Sequence, residues 1–266
     1  MAIDVWMQHP TERFLASPIF ESLRRWVSTI PKGDIPVSMT LQAMDAVQVD
    51  VALLSAWYGP SGSLISNEEV FVWTKAASNR LYGLAGVDLN KPMEAIRTLR
   101  KCVNEYGFKG LRIVQWLWGK PCTDPLYYPL LAECVQLDIP ICLQVGLTGP
   151  LCGSETGRPI HVERIALDFP ELKIVCGHIG YPWHQEMIAF ATKFPNVYID
   201  TSAYKAKRYP TELVSYIKTN GRKKVMFGSN YPMISPRDCL DGIDSLDLGD
   251  SLDDFLTNNA KRVFKL

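Results

Sequence analysis

The sequence predicts a closed (β/α)₈ barrel in a single domain spanning residues 1–266. Eight short runs rich in Val, Ile and Leu (3–7, 51–55, 82–87, 110–114, 141–145, 174–178, 197–201 and 225–229) show little polar alternation. That is the pattern of parallel strands covered on both faces. From Trp6 in the first run to Asn230 just past the eighth is 224 residues, a mean of 32 for each of seven intervals. One strand with its crossover helix needs about 30, and a barrel of this kind uses roughly 250 residues in all. A doubly wound open sheet is the rival. It opens with a Gly-rich turn, whereas here the first run leads into Gln8-His9-Pro10.

Helical signals fall between the strand runs. Ser66 stands three residues before Glu69 in a capping-box arrangement. Asp124-Pro125 and Ser235-Pro236 each offer an N-cap followed by Pro at the first helical position. Met93, Ile96, Leu99, Arg100 and Val103 repeat with helical period, as do Leu130, Leu131, Cys134 and Val135. One stretch breaks the rhythm. A rim insert near 9–36 precedes the helix expected near 38–47 and carries Phe14, Leu15, Ile19, Phe20, Leu23 and Trp26. Phe20, Leu23 and Val27 are spaced like one helix face. The insert either packs on the barrel rim or covers its mouth as a lid or subunit contact.

Composition narrows the function. Apolar residues make up 47% and charged residues 21%, enough to build a large core. Lys plus Arg and Asp plus Glu both number 28, so the excess positive charge that a general nucleic-acid binder needs is missing. No apolar run approaches the roughly 18 residues of a membrane span. The opening Met1-Ala2-Ile3-Asp4 has no basic region followed by an apolar stretch, so no secretory leader is expected. Seven scattered cysteines without a Cys-x-x-Cys pair fit reduced thiols and a cytoplasmic chain.

In such a barrel the chemistry lies at the C-terminal strand ends. Read in order, those ends carry Trp6 and Gln8, Ser55 and Trp57, Asp88, Arg112 and Gln115, Gln144, His178, Asp200, and Asn230. Trp57, Trp116 and Trp183 cluster there with Trp6, and Tyr204 joins them, which favours a flat or apolar ligand surface. Lys109 and Arg112 differ in parity and face opposite ways on a regular strand, and Arg112 lies nearer the mouth as a carboxylate clamp. His184, in the same loop as His178, is a second histidine candidate. His9 and His161 read as surface or loop residues.

Six segments carry a family resemblance. They are Ile3-Asp4-Val5, Gly107-Phe108-Lys109-Gly110-Leu111-Arg112, Cys176-Gly177-His178-Ile179-Gly180, Val197-Tyr198-Ile199-Asp200-Thr201-Ser202, Phe227-Gly228-Ser229-Asn230-Tyr231-Pro232, and the ending Asn258-Asn259-Ala260-Lys261-Arg262-Val263-Phe264. Together they resemble the amidohydrolase-related branch of the amidohydrolase superfamily. The resemblance implies a (β/α)₈ barrel and one of several activities: small-molecule hydrolysis, lactone opening, or non-oxidative decarboxylation of aromatic acids. It also implies a divalent metal, bound through an opening Asp-x-His-x-His, a histidine ending strand 5 and an aspartate after strand 8. Here those positions hold Trp6 and Gln8, Gln144, and Asn230, and only His178 keeps its type. Amides are weak zinc ligands, and an indole offers only an N–H donor. The expectation is therefore no metal, or one divalent ion such as zinc held by His178 with Asp200 or another group.

The sequence reading that follows is a hydrolase of a small carboxylated or aromatic lactone, ester or amide. His178 and Asp200 would activate water. Asn230, Gln8 and Gln144 would donate to the oxyanion. Trp6, Arg112, Trp57, Trp116, Trp183, His184 and Tyr204 would bind substrate. Two other readings stand beside it. One is a decarboxylase or other lyase of an aromatic acid. The other is a non-catalytic subunit paired with a related barrel chain; separately, the insert and the family resemblance suggest a homodimer.

Overall fold

The computed structural model describes residues 1–25, 33 and 35–266. Eight parallel strands form its centre: β1 (Ala2–Met7), β2 (Val49–Ser55), β3 (Leu81–Leu84), β4 (Leu111–Ile113), β5 (Ile141–Gln144), β6 (Ile174–Gly177), β7 (Val197–Asp200) and β8 (Val225–Met226). They pair in chain order in two arcs, β1 to β3 and β4 to β8. Two parallel bridges join the arcs, Ala85 with Leu111 and Met7 with Tyr231. At the second seam Val5 N donates to Phe227 O at 3.0 Å. The ring is closed, so the open-sheet rival falls. The observed strands stop short of the expected runs because their last residues peel into loops that carry polar side chains.

Ile3, Val5, Val51, Leu53, Leu84, Cys142, Val175 and Met226 form one apolar cluster. Val263 and Phe264 of the helix Asn259–Phe264 join it. A larger cluster fills the layer between strands and surrounding helices. Lys109 and Arg112 separate as their parity predicts. Lys109 Nζ reaches Lys265 O at 3.2 Å, while Arg112 is buried within the ring.

Two of the three helix starts hold. Ser66 and Glu69 make both arms of the capping box, and Ser235 Oγ accepts from Asp238 N at 3.1 Å. Asp124-Pro125 instead forms a turn: Asp124 Oδ1 accepts from Leu126 N at 3.0 Å, and the helix Tyr128–Gln136 starts later. A short side chain bonding its own backbone two residues on competes with helix initiation.

The segment after β1 forms a helix, Glu12–Ala16, and a 3₁₀ turn, Pro18–Arg25. Phe14 and Phe20 are buried with their ring centroids 5.0 and 5.7 Å from that of Trp57. Trp26 and Val27, placed on the insert by the sequence reading, lie outside the described residues. A hairpin follows β2 (Trp57–Gly59 with Gly62–Ile65), which the sequence reading did not expect. Among the described residues no helix is long and apolar enough to cross a membrane.

Candidate active site

A cavity of about 800 Å³ opens at the C-terminal strand ends, within the usual range for small-molecule sites. Six of the expected residues line it: Trp57, Trp116, Gln144, His178, Tyr204 and Asn230. Phe20 and Leu23 supply one wall from the insert, and Met233 and Ile234 another. Lys205, Arg208 and Asp238 charge the rim, and the sequence reading passed over all three. Lys205 is paired with Asp238 at 2.9 Å. The exposed Arg208 guanidinium makes no ion pair among the described residues.

The buried floor is a network of indoles and amides. Trp116 Nε1 donates to Gln144 Oε1 at 2.5 Å. Trp57 Nε1 donates to Gln8 Oε1 at 3.3 Å, and Gln8 Nε2 donates to Asn230 Oδ1 at 3.2 Å. Gln115, at the start of the short helix after β4, fixes the Gln144 backbone by accepting from its N–H at 3.0 Å. Gln8 is fully buried and orients Asn230 from beneath, without lining the cavity itself.

Five further expectations, on Trp6, Arg112, Trp183, His184 and His9, are corrected by position. Trp6 lies under the floor at 1% exposure, with its ring centroid 5.0 Å from that of His178. Arg112 stacks on that indole, its Cζ 3.8 Å from the ring centroid. Its Nη atoms donate to Ser55 Oγ at 2.9 Å and Val5 O at 2.8 Å, so it is held by the barrel interior and does not face the cavity. Trp183 and His184 sit off to the side. Arg158 covers Trp183 at 5.1 Å, and His184 faces Glu212, 3.8 Å away. Neither lines the cavity with His178. His9 is no surface residue. It is buried, its ring bonded to Thr40 Oγ1 at 2.7 Å and Ile35 O at 2.8 Å.

Electrostatics below the floor follow from burial. Desolvation, with the Arg112 charge behind it, pushes His178 down to about 3, so it is a neutral imidazole at neutral pH. Its Nδ1 lies 2.6 Å from Ser202 Oγ. Asp200 Oδ1 accepts from Ser202 N at 2.9 Å, while its Oδ2 is buried without a partner. Ser202 thus stands between the aspartate and the imidazole, and the water-activating pair expected from the sequence is not assembled. Burial also raises Asp200, and it lifts Asp4 to about 7. The backbone carries strain at the same level. His178, Ile179, Ala203 and Asn230 have φ of 68°, 52°, 68° and 73°, unusual for residues other than glycine and typical of functional sites.

A resident divalent metal does not fit these residues. The three amide oxygens at the expected ligand positions already accept hydrogen bonds, and the Trp6 indole fills the space beside His178. Among the described residues no group of three or more His, Cys, Asp or Glu is placed to hold an ion.

Comparison with known proteins agrees with the architecture. The chain is 25% identical over 244 residues to a gamma-resorcylate decarboxylase of Rhodococcus jostii (strain RHA1), covering 71% of each. It spans 30–50% of the next three curated relatives. Among solved structures, an uncharacterised TIM-barrel protein of Bordetella bronchiseptica superposes with a TM-score of 0.86 at 20% identity, over 99% of this chain and 98% of that one. A 5-carboxyvanillate decarboxylase of Novosphingobium aromaticivorans, complexed with manganese, gives 0.76 at 18% identity over 100% and 96%. The hydrolase expectation is corrected here: the four curated relatives compared are named as three decarboxylases and a hydratase. The family model described as Amidohydrolase matches residues 64–266. With three quarters of its length matched and its strands closed in a ring, the chain belongs to the amidohydrolase family.

Proposed function

We propose that the chain is a lyase of small aromatic carboxylic acids, of the decarboxylating kind. The observation that carries this reading is the cavity: aromatic walls from Phe20, Trp57, Trp116 and Tyr204, a floor of neutral polar groups, and cations at the rim. Flat walls suit a planar ring, and the named relatives act on such acids. In the reaction the bond between ring carbon and carboxylate breaks and CO₂ leaves. The electron pair stays on the ring carbon, which takes up a proton from water, and the hydroxide left behind combines with the released CO₂ as bicarbonate. Among the described residues His178 is the one buried lining residue with a titratable side chain, and we assign it the positioning of that water. Asn230 and Gln144 bind substrate oxygen. The insert near 9–36 serves as a wall of the site, and the seven unpaired cysteines support a cytoplasmic setting.

The test is turnover of 2,6-dihydroxybenzoate and 5-carboxyvanillate by the purified full chain, followed by CO₂ release and ultraviolet absorbance. Release from at least one acid is expected, with kcat lowered about tenfold or more in His178→Ala. A second reading keeps one observation in its favour: among the described residues no buried lining side chain carries a charge at neutral pH. On that reading the chain binds an aromatic acid without turning it over and works as a homodimer or beside a related barrel. Tight binding with no CO₂ release would replace the first reading by the second.

A further inference from the structure

The hydrogen-bond network settles which way each floor amide points. An indole N–H only donates, so the atom it meets must be a carbonyl oxygen. Trp116 therefore fixes Gln144 with Oε1 toward the indole. Trp57 fixes Gln8 in the same way, which leaves Gln8 Nε2 to donate and requires Asn230 to present Oδ1 to it. The atoms left over are Gln144 Nε2 and Asn230 Nδ2. Neither has a hydrogen-bond partner among the described residues, and both side chains line the cavity. Gln144 is 5% exposed, so the water it sees is the water of the cavity.

We infer that Gln144 and Asn230 form a donor-only cradle for the carboxylate of an aromatic ligand, held in that orientation by Trp116 and by Trp57 acting through Gln8. The inference rests on the reading of the ligand as an aromatic acid. It places the carboxylate at the floor and the ring between the aromatic walls, with the rim cations of Lys205 and Arg208 outside the primary contact. Trp57 and Trp116 are positioning residues: their N–H groups point away from the ligand and decide what the amides show it. The cradle is neutral, so it stabilises a bound carboxylate less than a metal ion or a guanidinium would. Less ground-state binding then has to be given up as the charge moves from the carboxylate onto the ring carbon and neutral CO₂ departs.

The experiment compares the affinity of the full chain for benzoate with that for benzyl alcohol, by calorimetry or tryptophan fluorescence. Benzyl alcohol can donate as well as accept, so it reports an intact, folded cavity in every variant. Gln144→Glu and Asn230→Asp keep shape and replace an inward N–H₂ by an oxygen. Each is expected to weaken benzoate by about tenfold or more, the scale of a hydrogen bond to a charged group, and to leave benzyl alcohol within about threefold. Trp116→Phe is expected to lower the benzoate preference several-fold, and to have no further effect on it in a Gln144→Leu background. The cradle is overturned if wild type shows no preference for benzoate, or if the preference survives both amide variants. It is equally overturned if Arg208→Ala alone abolishes that preference. Retained benzoate preference in a chain that releases no CO₂ from any aromatic acid would remove the proposed reaction and leave the cradle standing.

Discussion

A Cβ on Gly177 would lie 2.5 Å from Trp6 Cζ3, and one on Gly228 would lie 3.0 Å from Asp200 Oδ1 and 3.1 Å from Trp6 Cβ. Two glycines, at the ends of β6 and β8 on either side of β7, thus make room for an indole and a buried carboxylate. The titration of the groups around that ring has a sign that can be worked out. Burial lifts Asp4 from 3.8 to about 7. Between those values the folded chain keeps a proton that the unfolded chain has released, so the stability linked to Asp4 is greatest below about pH 4 and is lost as pH rises toward 7. His178 runs the other way. Its value falls from 6.5 to about 3, so its contribution is present above pH 6.5 and lost as pH falls toward 3. Asp4→Asn removes only the first effect. Relative to wild type, that variant should gain stability on going from about pH 4 to about pH 8, by on the order of a few kcal/mol. Urea denaturation at the two pH values measures it, and a pH-independent difference would contradict the assignment. None of this was legible in the sequence, which placed Trp6 and Arg112 at the mouth. The β1 pairing shifts register between Asp4 and Met7. Such a shift changes which face a side chain occupies, and strand parity alone does not reveal it.

At the level of elements, the eight strands and the paired helix signals were readable because each rests on a local pattern. The hairpin after β2 was not. Its turn, Gly59-Pro60-Ser61-Gly62, reads as an ordinary loop, and the three-residue strand Trp57–Gly59 is too short to show alternation. The insert was recognised by its aromatic content, but the role of Phe20 emerges only from its packing on Phe14 and Trp57. Phe20 is buried at 2% exposure while also bordering the cavity. Phe20→Ala is therefore expected to cost about 3–5 kcal/mol in unfolding free energy, and to weaken aromatic ligands as the Trp57 wall loosens. Denaturation and ligand titration on the same variant check both parts. A loss of stability with unchanged ligand affinity would make the insert a packing element only.

For the molecule as a whole, the closed barrel and the ring of polar strand ends followed from spacing and composition. The depth of each polar residue did not, because it depends on how far a strand runs before it peels away. The rim charges escaped for a related reason: Lys205 and Arg208 lie five and eight residues past Asp200, in the 3₁₀ turn Ala206–Arg208 and its N-cap, where no strand periodicity applies. The occupied amide oxygens and the indole beside His178 make a prediction about the entire chain. Dialysis against manganese or zinc followed by elemental analysis should leave well under one ion per chain. Added metal should also leave the thermal midpoint unchanged, since an ion that bound only the folded state would raise it. A stoichiometric ion would show that the floor rearranges to admit one.

The seam between β1 and β8 joins Val5 to Phe227, partners 222 positions apart. During synthesis the second residue of that pair leaves the ribosome long after the first, so a nascent chain exposes two unsatisfied strand edges until Phe227 has emerged. Contacts of such sequence separation form slowly, and unpaired edges invite association with other chains. Production of this protein should accordingly be sensitive to how fast it is translated and to how many copies are made at once.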